Sequence, residues 1–165
     1  MQRDKKIEEI KKIIKRLEEL NCELNSNAIK KAIENLKIAI YGKKVGSEGF
    51  EHSYIREKLF ELFSGNIYVE SANTGFSKIG FRPDLLIVND KELIIVEIET
   101  NKKRAKNKMS KICKNLEKIK AFPLSINRKV RIVFCLTFYD DEFLKEAKEK
   151  NFEVYILKGK ELLPV

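Results

Sequence analysis

The chain is predicted to be an α/β domain, a mixed sheet flanked by helices on both faces and preceded by an N-terminal helical hairpin. Three observations carry this. Two continuous apolar runs, Leu85 to Val88 and Leu93 to Val96, are separated by Asn89-Asp90-Lys91-Glu92, which is the form of a β-hairpin buried on both faces. The next segment, Asn101 to Ala121, places Ala105, Met109, Ile112, Leu116 and Ile119 at steps of four and three, so it is a helix with one apolar stripe. A further buried run, Val130 to Phe138, follows it. A strand reached through a crossover helix runs parallel to the strand before that helix, which makes the sheet mixed.

The elements follow in order. Ile7, Ile10, Ile14 and Leu17 recur among Lys and Glu as the stripe of an amphipathic helix ending near Asn21. Asn25 or Ser26 caps a second helix with Ala28, Ile29, Ala32, Ile33 and Leu36 inward, and Gly42 stops it. Together they form the N-terminal hairpin, 1–45, ahead of the main domain, 46–165. Gly46-Ser47-Glu48-Gly49 is a loop before a third helix, Phe50 to Phe63, whose buried face holds Ile55, Leu59, Leu62 and Phe63. Ile67 to Ser71 is a short strand, and Ala72 to Gly80 is a loop leading to the central hairpin. After the crossover strand, Asp140 caps a helix through Lys150, and Phe152 to Leu157 is a final strand.

Composition bounds the function. In 165 residues, 43% are hydrophobic and 36% charged, as in a soluble globular domain. No apolar run reaches the ~20 residues that span a bilayer, and the charged start MQRDKKIEEI does not resemble a signal peptide, so a cytoplasmic location is expected. Cys22, Cys113 and Cys135 are odd in number and widely spaced in apolar patterns, which points to buried thiols and not to disulfides or zinc ligands. The net charge of +9 is concentrated: Lys102, Lys103, Arg104, Lys106, Lys108, Lys111, Lys114, Lys118 and Lys120 face a single acid, Glu117. A basic stripe of that kind suits a polyanion, most simply a nucleic-acid backbone.

The stretch Arg82 to Thr100, RPDLLIVNDKELIIVEIET, holds the chemistry. With a two- or four-residue turn, paired positions sum to 181, so Val88 faces Leu93 and Asp84 faces Glu97. Opposed residues share a face at roughly 4.5–5.5 Å between Cβ atoms, and Glu99 lies one step further along it. Three carboxylates converging beside a hydrophobic hairpin are costly without a cation. A hard divalent metal, Mg²⁺ or Mn²⁺, suits such oxygen ligands. The plainer alternative is a structural ion pair, because Arg82 faces Glu99 in the same register. Glu51, one turn before Ile55, could project into a site beside the sheet or simply favour the helix dipole; Glu48 ranks behind it. His52, the only histidine, points inward and suits a packed role better than a catalytic one.

A helix with an early glutamate, a strand opening on Pro83-Asp84, a hairpin into Glu97-Ile98-Glu99, then a helix and a parallel strand together resemble the PD-(D/E)xK nuclease superfamily. The spacing is most similar to archaeal Holliday-junction resolvases. The resemblance covers roughly residues 46 to 138. It implies a restriction-endonuclease-like αβββαβ core and Mg²⁺- or Mn²⁺-dependent hydrolysis of DNA phosphodiester bonds, with branched or junction DNA as candidate substrates and a homodimer as the working form. It implies metal ligation by Asp84, Glu97, Glu51 and Glu99, and phosphate contacts from Arg82, Lys103, Arg104, Lys106, Lys108 and Lys111. One departure matters: the superfamily's lysine position is Glu99 here, a Glu-x-Glu variant, and Lys102 or Lys103 could reach back to supply the missing charge. The competing expectation is a catalytically inactive nucleic-acid-binding or assembly protein that retains the fold.

Overall fold

The computed structural model describes residues 2–42, 49–63, 65–69 and 74–165. Glu48, most of the loop that carries it, the end of the strand expected to reach Ser71 and the start of the following loop lie outside the described residues. The protein is mixed α/β, with five α-helices and a six-stranded mixed sheet among the described residues. Its internal contacts divide it into two units, 1–54 with 158–161, and 55–157 with 162–165.

In the first unit, α1 (Gln2–Leu24) and α2 (Asn27–Tyr41) form the helical hairpin, with Ile7, Ile14, Ile33 and Ile40 buried. Ser26 is the N-cap of α2, its hydroxyl accepting the Ile29 N–H at 3.4 Å. Gly42 closes the helix with φ of 82°, donating its N–H to Ile38. Lys37 ties α2 to Glu18 of α1 at 2.8 Å. Cys22 is exposed in the last turn of α1, where the apolar stripe has ended, in contrast to the buried thiol expected there.

The second unit holds all of the sheet except Lys158 and Glu161, and the strand order is β1-β2-β3-β4-β5-β6. Its strands are β1 (Asn66–Val69), β2 (Leu85–Val88), β3 (Glu92–Glu99), β4 (Lys129–Leu136), β5 (Glu153–Lys158) and β6 (Glu161–Pro164). β1, β2 and β3 pair antiparallel, and β3, β4 and β5 pair parallel. The hairpin register pairs Leu85 with Val96 and Val88 with Leu93, so positions sum to 181 as the turn chemistry predicts. The Asn89 side chain fixes that turn by accepting N–H bonds from Lys91 and Glu92 at 2.9 and 2.8 Å. β6 has no counterpart in the sequence-based reading. It is four residues long and only Leu162 in it is buried, too little pattern to register as a strand.

Alternation sorts the sheet into two faces. On one, Leu86, Val88, Leu93, Ile95, Ile132, Phe134 and Val154 form the core with α4 (Lys102–Ala121) and α5 (Asp141–Glu149). α4 contributes Ala105, Met109, Ile112 and Ile119, the stripe expected from the sequence, and α5 contributes Phe143 and Ala147. The alternate residues Leu85, Ile87, Ile94, Val96 and Ile98 on the other face are also buried. There Phe63, one residue beyond α3 (Phe50–Leu62), meets Tyr155 edge-on and lies under the Arg131 guanidinium. Burial on both faces explains why β2 and β3 are continuous apolar runs.

Candidate functional site

β3 stays apolar on the α4 face through Ile95 and then turns acidic, so Glu97 and Glu99 occupy the next two positions of that face. Asp84 precedes β2 and extends the register opposite Glu97; its Oδ2 accepts the Ile98 N–H at 2.8 Å. Pairing rules alone bring the three carboxylates to one end of the hairpin.

What meets them is Lys108 of α4. Its Nζ lies 2.7 Å from Asp84 Oδ2, 2.7 Å from Glu97 Oε2 and 3.0 Å from Glu99 Oε1. The Glu97 and Glu99 side chains are 2% and 7% exposed, Asp84 19% and Lys108 25%. The ammonium donates a hydrogen bond to Asp84 and makes close ion-pair contacts with Glu97 Oε2 and Glu99 Oε1.

The electrostatics follow from burial. Removal from water pushes the Glu97 carboxyl well above its ordinary range and the neighbouring Asp84 pushes it further, against the opposing pull of Lys108. Burial works to discharge Lys108, but the attraction of Glu97 and Asp84 outweighs it and raises its pKa. Behind the carboxylates, burial and the charge of Asp84 both raise the Cys135 thiol. Among the described residues, no group of three or more His, Cys, Asp or Glu side chains is arranged to hold a metal ion; the three carboxylates close on an ammonium.

The other site candidates are placed as follows. Lys102 Nζ lies 2.7 Å from Asp140 and 3.8 Å from Glu142, so its charge is directed to the start of α5. Lys106 pairs with Glu142 at 2.9 Å. Lys103, Arg104 and Lys111 are exposed on α4, and Arg82 is exposed ahead of β2; none of these four has an ion pair among the described residues. Glu99 is therefore answered by Lys108, and the Arg82–Glu99 pair is not formed. Glu51 is half-buried in the first turn of α3, within the first unit, where burial first and the Glu51 charge second raise the pKa of the Tyr41 hydroxyl. His52 is half-buried beside it.

The family resemblance implies a phosphate contact for Lys108, and the sequence alone does not bring it to the carboxylates. A signal was present. At about 100° per residue, Lys108 falls within ~40° of Ile112 and Ile119 on the helical wheel, at the margin of the buried stripe, whereas Lys103, Lys114 and Lys118 point away.

No family model, curated protein or solved structure matches the chain. None of its described helices is long and apolar enough to cross a membrane.

Proposed function

We propose that the chain is a metal-dependent endonuclease that hydrolyses phosphodiester bonds in DNA, built on a PD-(D/E)xK core in which the lysine is supplied by the helix after the motif. The observation that supports this is the Lys108 ammonium within 3.0 Å of Asp84, Glu97 and Glu99. The Glu-x-Glu motif lacks a lysine in the strand, and Lys108 brings one to the same carboxylates from α4.

The donor set suits a divalent cation. Three carboxylates and one ammonium leave a formal charge of −2 when all are ionised, and the charge of Asp84 adds to the upward push that burial gives Glu97. The ligands are hard oxygens of the type Mg²⁺ and Mn²⁺ take. Asp84, Glu97 and Glu99 would hold the ion, which would supply Lewis acidity toward a phosphate oxygen and a more acidic bound water. Lys108, with its strongly held proton, serves as a fixed positive charge beside the phosphate and not as a base. Asp84 is oriented by the Ile98 N–H, so the strand backbone helps set the site.

A second reading has its own support. Lys108 already meets all three carboxylates, which suits a nucleic-acid-binding or assembly protein in which the ammonium replaces a metal and no cleavage occurs. Incubating labelled linear, branched and four-way-junction DNA with Mg²⁺ or Mn²⁺ separates the two. The nuclease reading requires cleavage by wild type and its loss in Asp84→Ala, Glu97→Ala and Lys108→Met. Cleavage surviving the first two changes sinks the assigned site; absence of both cleavage and calorimetric metal binding in wild type favours the binding-only reading.

A further inference from the structure

The nine basic residues between Lys102 and Lys120 fall into two sets. Lys102 and Lys106 are met by Asp140 and Glu142, Lys108 by the three carboxylates, and Lys120 lies 4.0 Å from Glu117. Lys103, Arg104, Lys111, Lys114 and Lys118 are exposed, and none has an ion pair among the described residues. At 100° per residue these five fall within an arc of about 100° and span about 22 Å along the helix axis. α5 thus neutralises one flank of α4 and leaves the opposite flank uncompensated.

Five like charges on one helix flank repel each other, and a polyanion relieves that repulsion most directly by displacing counterions. The rest of the arc limits which polyanion fits. Its other side chain near the centre is Asn107, and it contains no aromatic or large apolar residue. Single-strand binders stack exposed bases on aromatic platforms, and this convex ridge offers none. A bilayer surface would need an apolar face to bury, but the apolar stripe of α4 is already packed on the sheet. A duplex presents phosphates outward with its bases enclosed, and 22 Å corresponds to about six base-pair steps.

We infer that this flank of α4 is a track for the sugar-phosphate backbone of double-stranded nucleic acid, bound without regard to sequence. Arg104 and Lys111 stand four residues before and three after Lys108, on the adjoining strip of the same helix, so the track borders the carboxylate cluster. This rests on the proposal that the partner is a nucleic acid, but it does not require cleavage.

The test is metal-free binding in EDTA, read by fluorescence anisotropy of a labelled 20-base-pair duplex and of its single strand over a salt series. Lys111→Gln/Lys114→Gln/Lys118→Gln is compared with Lys129→Gln/Lys145→Gln/Lys148→Gln, which removes equal charge from exposed sites elsewhere in the same unit. The track requires duplex to bind more tightly than single strand. It also requires the ridge triple to weaken duplex binding by at least about tenfold, with the log K–log salt slope shallower by about 2–3, while the control triple stays within about threefold of wild type. A ridge triple that binds like wild type, equal losses in both triples, tighter single-strand binding, or no duplex binding by wild type each overturns it. Normal duplex binding by Asp84→Ala with no cleavage by wild type removes the nuclease reading and leaves the track intact.

Discussion

Lys108 Nζ stands 2.7 Å from Glu97 Oε2, and the Glu97 side chain is 2% exposed. A lysine from the crossover helix thus neutralises part of a carboxylate cluster in which Glu97 and Glu99 are buried and Asp84 is partly exposed. The charge balance at the end of the central hairpin depends on this contact.

Removing the ammonium while keeping the stem isolates that balance. Lys108→Met is expected to destabilise the fold by about 3 kcal/mol at neutral pH, because one partner of a buried ion pair is left behind. The penalty should shrink as the pH falls, since Glu97 can then take up a proton. Guanidinium unfolding midpoints at pH 8 and pH 5 read the difference; equal penalties at both would show that Lys108 does not answer the buried charge.

Glu97 also sets a pH dependence in the unmodified protein. Its folded-state pKa lies above its unfolded value, so the folded form binds the proton more tightly. The contribution to stability is full below the ordinary glutamate range and is lost as pH rises through the raised value. Wild type should lose stability over that interval, and Glu97→Gln should flatten the profile. A Glu97→Gln profile parallel to wild type would overturn the assignment.

Divalent cations should compete with the ammonium for the same oxygens. Mg²⁺ or Mn²⁺ is expected to raise the melting temperature of wild type, to raise it more in Lys108→Met, and to leave an Asp84→Asn/Glu97→Gln double variant unmoved, following mass-action stabilisation by a ligand of the folded state. Thermal shift over a metal titration measures this. In cleavage assays, Lys108→Met should lose more activity than Lys102→Met, whose lysine is held by Asp140.

Gly65, at the entry to β1, has φ of +136°, and a Cβ there would lie 2.7 Å from the Val88 carbonyl oxygen. Gly65→Ala should therefore cost about 1–3 kcal/mol through backbone strain and crowding against β2. Urea unfolding reads this, and a change of less than half a kcal/mol would mean that the loop relaxes freely.

Much of the fold was legible because its signals are local. The run from Leu85 to Val96 with its Asn-Asp turn determined a hairpin and its register, and with them the shared face of Asp84 and Glu97. The 4-3-4-3 spacing from Ala105 to Ile119 determined the crossover helix, and the crossover determined the parallel pairing of β3 with β4. Composition located the charge on α4 but could not divide it. Nine basic residues in one helix are equivalent in a one-dimensional count, although they point in different directions.

The partner of each carboxylate was decided by tertiary structure alone. Arg82 and Glu99 share a register, yet Glu99 meets Lys108, because α4 crosses the face on which Glu97 and Glu99 emerge and carries a lysine at the margin of its buried stripe. Lys102, nearer in sequence, turns instead to Asp140 at the start of α5. Pairing and periodicity are set by neighbours a few residues apart and can be read along the chain. Which ammonium reaches a buried carboxylate depends on how a helix lies across a sheet, and that is settled only when the core packs.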